Sequence, residues 1–247
     1  MLNERHKGIV ELLKEKQKVS VKELSDVFFV SEATIRRDLT ELKSLGLIER
    51  AHGLALHTDH SEEVSIYVRI NENANEKEKA VSNAILKLPE FQSVFVDSSS
   101  TALALAQRID LRFKTVVTNS LQTAMLLSRK KDINLILLGG VVQYNTVSTT
   151  GGSSVRQIND FVFDLMISSC AAIQDDEVLE RTMEQKEIKS AAFLRSKKRI
   201  LIADQFKFNA KGIYRVARLG DYDMVATDCS PSQKLLDKGI SFEYGQK

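Results

Sequence analysis

The chain has 247 residues, 35 of them basic and 33 acidic, with a formal net charge of +2. This length allows one large core plus a small additional domain. The near-neutral charge excludes a polybasic coat, so any DNA affinity must come from the local placement of basic residues and from pairing two copies. Two distant cysteines and four scattered histidines form no metal-ligand spacing, and the sequence has no apolar signal or bilayer-length run, which predicts a cytoplasmic protein.

The first sixty residues predict three short helices followed by a hairpin. Residues 4–16 carry apolar side chains in helical register, and residues 17–18 break it. Ser20 with Glu23 three residues later has the spacing of a capping box, which predicts the start of a second helix. The apolar runs at residues 47–51 and 54–56 flank a glycine and predict a two-stranded wing.

The third predicted helix has the layout of a recognition helix. Ser31 can cap it, and Glu32 lies at the positive end of its dipole. One apolar stripe can pack this helix against the rest of the domain, and it consists of Ile35, Leu39 and Leu42. The residues at its leading end that point elsewhere are Thr34, Arg36 and Arg37. Exposed arginine pairs usually mark only a solvated surface, but two short helices joined so tightly favour a helix-turn-helix.

Three segments carry a family resemblance: residues 19–24, residues 30–39 and the His52-Gly53 pair. They resemble the N-terminal domain of the DeoR family of bacterial transcriptional regulators, which implies a winged helix-turn-helix that binds double-stranded operator DNA. At Phe29 the family usually has glycine, and another residue in a left-handed turn costs about 1 kcal/mol. The residues assigned to DNA contact are Ser20, Ser31, Glu32, Thr34, Arg36, Arg37, Arg50 and His52.

Residues 58–72 are polar and predict a linker between a DNA-binding domain of residues 1–57 and a larger domain of residues 73–247. In the larger domain, helix-like segments alternate with short runs that are apolar throughout, which predicts a mostly parallel α/β sheet covered on both faces. The predicted strands are residues 93–97, 115–118, 133–138, 165–168, 199–203 and 224–226. The predicted helices are residues 80–88, 103–109, 121–127 and 184–194.

Hydroxyl-rich loops follow two of these strands. Residues 97–101 (Asp-Ser-Ser-Ser-Thr) follow the first strand and open a helix, and residues 118–120 (Thr-Asn-Ser) follow the next. Ligands of parallel sheets lie at the carboxyl ends of strands, where hydroxyls and backbone N–H groups can hold a phosphate. Helix caps without any ligand have the same composition, so the residues leave both interpretations open.

Matches at residues 97–101, 118–120, 137–140, Lys189 and 204–208 resemble the DeoR effector domain, whose fold is similar to that of sugar-phosphate isomerases and which senses phosphorylated sugars. The resemblance implies an effector set of Asp97, Ser98, Ser99, Ser100, Thr101, Thr118, Asn119, Ser120, Gly139, Lys189 and Lys207, with the two lysines supplying the countercharge. The chain departs from the family at Ser98 and Ser99, where a glycine-rich loop is usual. Further departures are Ala171, near which an acidic residue is expected, and Gln185, which replaces a glutamate.

Three functions compete: a sugar-phosphate-sensing repressor, a sugar-phosphate isomerase with an accessory domain, and a DNA-binding protein whose large domain only oligomerises. Isomerisation needs a positioned base, usually a carboxylate, and Ala171 cannot serve, so this position and the helix-turn-helix argue against the enzyme. Retention of Thr101, Asn119 and Lys207 favours sensing over oligomerisation alone. We therefore predict a repressor of a sugar-metabolism operon, homodimeric or tetrameric, relieved by a phosphorylated sugar, without cofactor, metal, membrane association or enzyme activity.

Overall fold

The computed structural model describes residues 3–45, 47–51, 53–57 and 65–245, and the chain divides into two compact units, residues 1–71 and 72–247. The elements of the first unit are α1 (Glu4–Lys16), β1 (Lys18–Ser20), α2 (Val21–Phe28), α3 (Glu32–Ser44), β2 (Ile48–Ala51), β3 (Leu54–His57) and α4 (Ile66–Arg69). Helices α1, α2 and α3 and the wing were predicted, whereas β1 and α4 were not. The short helix α4 lies inside the stretch predicted as a linker, and its Ile66 is buried.

The first unit is a winged helix-turn-helix. Strands β1, β3 and β2 form an antiparallel sheet in that order, and helices α1, α2 and α3 pack around one apolar cluster. The caps are those predicted, since Ser20 Oγ accepts from Glu23 N at 3.1 Å and Ser31 Oγ from Thr34 N at 3.2 Å. Phe29 ends α2 in the left-handed region (φ 52°, ψ 42°) with 93 % of its surface exposed. The turn therefore keeps the geometry of a glycine turn, and no packing of the phenyl ring offsets its strain.

The second unit is built on a seven-stranded parallel sheet. Its helices are α5 (Ala74–Leu86), α6 (Ser100–Arg108), α7 (Leu121–Leu127), α8 (Gly152–Asn159), α9 (Met183–Leu194) and α10 (Gln233–Leu236). Its strands are β4 (Ser93–Val96), β5 (Thr115–Thr118), β6 (Asn134–Leu137), β7 (Val141–Gln143), β8 (Ser148–Thr150), β9 (Phe163–Ser168), β10 (Ala172–Gln174), β11 (Glu177–Glu180), β12 (Ser196–Ile202), β13 (Tyr214–Arg218), β14 (Met224–Ala226) and β15 (Phe242–Glu243). The sheet order is β15-β14-β12-β9-β4-β5-β6.

Both faces of this sheet are buried, which explains why its strands are apolar throughout. On β4, Val94 and Val96 join the cluster with α5 and α6, while Phe95 between them joins the cluster on the other face. This architecture confirms the predicted α/β class. The sequence did not predict the β7–β8 hairpin or the antiparallel sheet β10-β11-β13, because these strands are short and their apolar runs are brief. No helix in the described part of the chain is long and apolar enough to cross a membrane.

Candidate functional site

The leading end of α3 presents its polar side chains to solvent. Arg36 and Arg37 are exposed and Thr34 is half-buried, whereas Ile35 is fully buried on the opposite face. Ser31 and Glu32 are also exposed at the start of the helix. The apolar stripe and the polar face therefore separate as the helical periodicity predicts.

The two arginines differ in their contacts. Arg36 Nη2 lies 2.9 Å from Glu32 Oε2 one turn earlier, while Arg37 makes no hydrogen bond or ion pair within the described residues. From the wing, Arg50 Nη1 donates to Thr40 Oγ1 at 2.9 Å, which places a third arginine against the same helix. Ser20 caps α2, and His52 lies outside the described residues. Among the assigned arginines, Arg37 is therefore the one without a partner in the part of the chain that the structure describes.

Asp38, which follows the two arginines in sequence, has a structural role. It is buried, and its carboxylate accepts from Arg5 Nε at 2.6 Å and Arg5 Nη2 at 3.1 Å, while His6 Nε2 lies 3.1 Å away. Desolvation by burial raises the pKa of Asp38, but the hydrogen bonds and charges of Arg5 and His6 outweigh it and leave the pKa below its ordinary value. This network joins α1 to α3 and so sets the direction of the arginine-bearing face.

Predicted effector residues and two further polar residues, Ser169 and Asp204, gather at the carboxyl ends of four neighbouring strands. The sheet order places Asp204 after β12, Ser169 after β9, Asp97 after β4 and Asn119 after β5 along one edge, and all four side chains are buried. Gly139 follows β6 at this edge but is exposed, and its N–H donates to Gln157 Oε1 at 3.1 Å. The two loops singled out by sequence are therefore neighbours.

Asp97 organises this edge of the sheet. Its Oδ1 accepts from Ser99 N at 2.9 Å and from Ser99 Oγ, and its Oδ2 accepts from Ser168 Oγ at 2.7 Å and Ser169 N at 3.1 Å. Burial raises the pKa of Asp97, but the charge of Lys189 and these hydrogen bonds outweigh it, so the pKa lies below its usual range. Asp97 is therefore ionised, and both of its carboxylate oxygens accept hydrogen bonds from the protein itself.

Lys189 has a different role from the one expected. Its buried ammonium lies 2.5 Å from Glu180 Oε1, 2.7 Å from the Ser169 carbonyl oxygen and 3.1 Å from Asp97 Oδ2. Burial lowers the pKa of Lys189, but Asp97 and Glu180 outweigh this and raise it above the usual value. The ammonium donates to Glu180 and to the Ser169 carbonyl and forms an ion pair with Asp97, so the predicted countercharge for a phosphate is already neutralised by two carboxylates. Sequence reasoning missed Glu180, whose only signal is a carboxylate at the end of the short apolar run in β11.

Gln185 bridges three parts of the site. Ser98 Oγ donates to its Oε1 at 3.1 Å, and its Nε2 donates to Thr146 Oγ1 at 3.2 Å and Ser148 Oγ at 3.0 Å. The side chain is 2 % exposed, so the amide replaces the expected glutamate without leaving an unpaired charge. Through Gln185, α9 is tied to the loop after β4 and to the β7–β8 hairpin.

Several of the predicted hydroxyls are helix caps. Ser99 Oγ accepts from Ala102 N at 3.0 Å, and Ser120 Oγ accepts from Thr123 N at 3.1 Å. Thr118 Oγ1 donates to the Val96 carbonyl at 2.7 Å. In contrast, the side chains of Ser100 and Thr101, in the first turn of α6, make no hydrogen bond within the described residues. The cap interpretation therefore holds for part of the set and does not account for Ser100 and Thr101, which are both buried.

Buried polar atoms without partners lie along the same edge. Within the described residues, Asn119 Oδ1, Ser169 Oγ and Asp204 Oδ2 have no hydrogen-bond partner. Burial, the largest influence, raises the pKa of Asp204, and the charge of nearby Lys207, which is half-buried, opposes this shift. Burial likewise raises the pKa of the Cys170 thiol to about 12, which leaves it unreactive. No cluster of metal-ligating side chains occurs in the described ranges.

A winged helix-turn-helix with exposed arginines, in one chain with a parallel α/β domain that gathers polar groups at its strand ends, defines a DNA-binding regulator with a ligand-binding domain. The DeoR-like helix-turn-helix domain matches residues 5–60, and the DeoR C terminal sensor domain matches residues 72–229. The chain therefore belongs to the DeoR family of transcriptional regulators, which confirms the resemblance found in its sequence.

Curated relatives match over nearly the whole chain. The glycerol-3-phosphate regulon repressor of Escherichia coli (strain K12) is 32 % identical over 97 % of this chain and 98 % of its own length. The HTH-type transcriptional repressor GlcR of Bacillus subtilis (strain 168) is 28 % identical over 95 % of this chain and 91 % of its own. Among solved structures, ribose 5-phosphate isomerase A of Methanocaldococcus jannaschii aligns with 56 % of this chain and 55 % of its own at a TM-score of 0.40 and 12 % identity.

Proposed function

We propose that this chain represses an operon of sugar or sugar-phosphate metabolism and releases its operator when a phosphorylated sugar binds. The observation that carries the DNA half is the exposed face of α3 with Arg37 unpaired within the described residues. Similarity to a glycerol-3-phosphate regulon repressor and to GlcR supports the repressor role. Operator binding requires access to the chromosome, and therefore the cytoplasm.

Operator recognition on this proposal needs two copies of the chain. One short helix and a net charge of +2 provide few phosphate contacts, so two α3 helices reading successive major grooves about one helical turn apart supply the affinity. The operator is then an inverted or direct repeat, and the protein is a homodimer or tetramer. Arg37 contacts a phosphate or a guanine, and Thr34 supplies a short hydroxyl near base edges.

The effector half rests on the unpartnered polar atoms at the strand ends. A buried polar atom without a partner costs about 1–3 kcal/mol, which a bound ligand recovers. Because Asp97 and Glu180 together outweigh the charge of Lys189, a phosphate group avoids this cluster and lies at the first turn of α6, with Lys207 as the available cation. The sugar hydroxyls then face Asn119 and Ser169.

We further propose that the domain senses its ligand without converting it. A catalytic base must be free to accept a proton from the substrate. Asp97 accepts hydrogen bonds on both oxygens, Glu180 is paired with Lys189, and position 171 is alanine. Asp97 and Glu180 therefore hold the site together and are not placed as bases.

The test is binding of an operator, obtained by selection from random duplexes, across a panel of sugar phosphates. We expect one ester to weaken operator affinity about a hundredfold, equivalent to about 2.7 kcal/mol of coupling, while its free sugar has no effect. Lys207→Ala keeps operator affinity and reduces the response to that ester, with Lys211→Ala as a matched control. Absence of any response and of any thermal shift supports a purely oligomerising domain, and turnover of an ester supports an enzyme.

A further inference from the structure

Thr40 lies on the exposed face of α3, and it is not among the residues that the sequence assigns to DNA contact. Residues three and four positions apart on a helix are neighbours on its surface, so Thr40 is next to Arg37 and Arg36. A shallow depression on this face is lined by Arg36, Arg37, Thr40 and Glu41. The Thr40 hydroxyl therefore lies beside both arginines of the face that is proposed to meet DNA.

The Thr40 hydroxyl makes two hydrogen bonds. Its Oγ1 donates to the Arg36 carbonyl oxygen at 2.7 Å and accepts from Arg50 Nη1 of β2 at 2.9 Å. A hydroxyl has one proton and two acceptor lone pairs, so the first bond uses the proton and the second uses a lone pair. The bond to the helix therefore orients the hydroxyl as an acceptor for Arg50.

Successive residues of β2 are joined to α3 by contacts of different kinds. Glu49 Oε2 lies 3.7 Å from Lys43 Nζ, so each charge of this pair is compensated by the other. Arg50 is instead held by Thr40, whose hydroxyl is neutral. A neutral acceptor fixes the position of a guanidinium and leaves its charge available, whereas a carboxylate would also cancel that charge. Thr40 therefore holds Arg50 without neutralising it.

The contact between Thr40 and Arg50 is at the surface, where Thr40 is exposed and Arg50 is half-buried. An exposed hydrogen bond adds little to the stability of a fold, because both groups bond to water when it is broken. A long side chain that becomes ordered only on binding loses rotamer freedom, and this loss weakens the association. The main consequence of the bond is therefore that Arg50 is ordered before a partner arrives.

We propose that Thr40 positions Arg50 for contact with a backbone phosphate of the operator. This inference rests on the proposed function and deepens it, since it adds a third arginine to the exposed face of α3. Arg36 is partly compensated by Glu32, so within the described residues Arg37 and Arg50 are the arginines of this face without a carboxylate partner. Phosphate contacts orient a protein on the duplex without reading its sequence, so Thr40 contributes to affinity and not to the choice of bases.

The test is a double-mutant cycle on the affinity of the full-length chain for a duplex selected by the wild type. We expect Arg50→Ala to weaken binding about tenfold and to lower the slope of log affinity against log salt by about one. Thr40→Val keeps the branched shape without the hydroxyl and should weaken binding about fivefold, because Arg50 is then ordered only on binding. In the Arg50→Ala background, Thr40→Val should cause no further loss.

Thr40→Ser is the matched control, because serine keeps the hydroxyl that accepts from Arg50. It should bind the duplex as the wild type does. Urea denaturation should give nearly equal free energies of unfolding for the wild type, Thr40→Ser and Thr40→Val, which separates a positioning role from a defect of the fold.

A further measurement needs no DNA. Nitrogen-15 relaxation of Arg50 Nε in the free chain should show an ordered side chain in the wild type and in Thr40→Ser, and a more mobile one in Thr40→Val. Equal mobility of Arg50 in the wild type and in Thr40→Val would overturn the proposal.

Two outcomes of the binding cycle would also contradict it. If the loss caused by Thr40→Val persists in the Arg50→Ala background, Thr40 acts on DNA directly and not through Arg50. If Arg37→Ala weakens binding while Thr40→Val and Arg50→Ala do not, the proposed function stands and this inference fails. A wild type that selects no duplex would remove both.

Discussion

The exposed face of α3 and the strand-end site use cations in opposite ways. Arg37 is exposed and unpaired within the described residues, so its charge is available to a partner. Lys189 is buried and bonded to Asp97, Glu180 and a carbonyl, so its charge is used within the fold. The difference teaches that a basic residue in a family motif marks a contact with a ligand only where the surrounding carboxylates leave it free.

The strongest challenge to this comparison is Lys189→Met. Removing the cation leaves two buried carboxylates uncompensated, so we expect the second unit to lose about 3–5 kcal/mol of unfolding free energy in urea denaturation. Lys186→Met, half-buried on the same helix, should cost far less. Adding Glu180→Gln to Lys189→Met should recover part of the loss, and failure to do so would contradict the pairing.

Asp38→Asn tests whether the motif next to the arginines is structural. We expect a loss of about 2 kcal/mol in the first unit, because a charge-assisted pair with Arg5 is broken. The pKa of Asp38 is lowered in the folded chain, so the stability it supplies is present above its unfolded pKa of about 3.9 and is lost as pH falls through the folded value. The difference from wild type should therefore shrink in acid. Asp26→Asn, on an exposed position, is the control and should change little.

Arg37→Ala should weaken operator binding by about 1–3 kcal/mol without changing stability, since the side chain is exposed. If the lost contact is a phosphate, the slope of log affinity against log salt falls by about one. Arg36→Ala should have a smaller effect, because part of its charge is compensated by Glu32. Unchanged DNA affinity in both variants would remove this face of α3 from the interface.

The smallest expected effect is a gain. Phe29→Gly relieves a left-handed residue whose ring is exposed, and we expect the first unit to gain up to about 1 kcal/mol of stability after the larger chain entropy of glycine is subtracted. Phe29→Asn, which tolerates the same conformation, should give a similar gain in thermal unfolding. A loss in both variants would show that the ring contributes to stability despite its exposure.

Prediction from sequence was most complete for the first unit, because its determinants are local. The Ser20 and Ser31 caps act over three residues, and the stripe of Ile35 and Leu39 repeats at helical spacing. In the second unit, the apolar strands and the loops after β4 and β5 were predicted in the same way. The role of Lys189 was not predicted, because its partners Asp97 and Glu180 belong to strands or loops of different sheets.

The sequence by itself determined the helix-turn-helix, the parallel α/β class and the family, since short-range caps and periodic burial are written in consecutive residues. Only the tertiary structure decided which polar groups are already satisfied. In the structure, Asp38 pairs with Arg5, Gln185 accepts a hydrogen bond from Ser98, and the charge of Lys189 is neutralised by two carboxylates. These pairings depend on non-local packing, and burial in a low dielectric then decides whether a charge belongs to the fold or to a ligand.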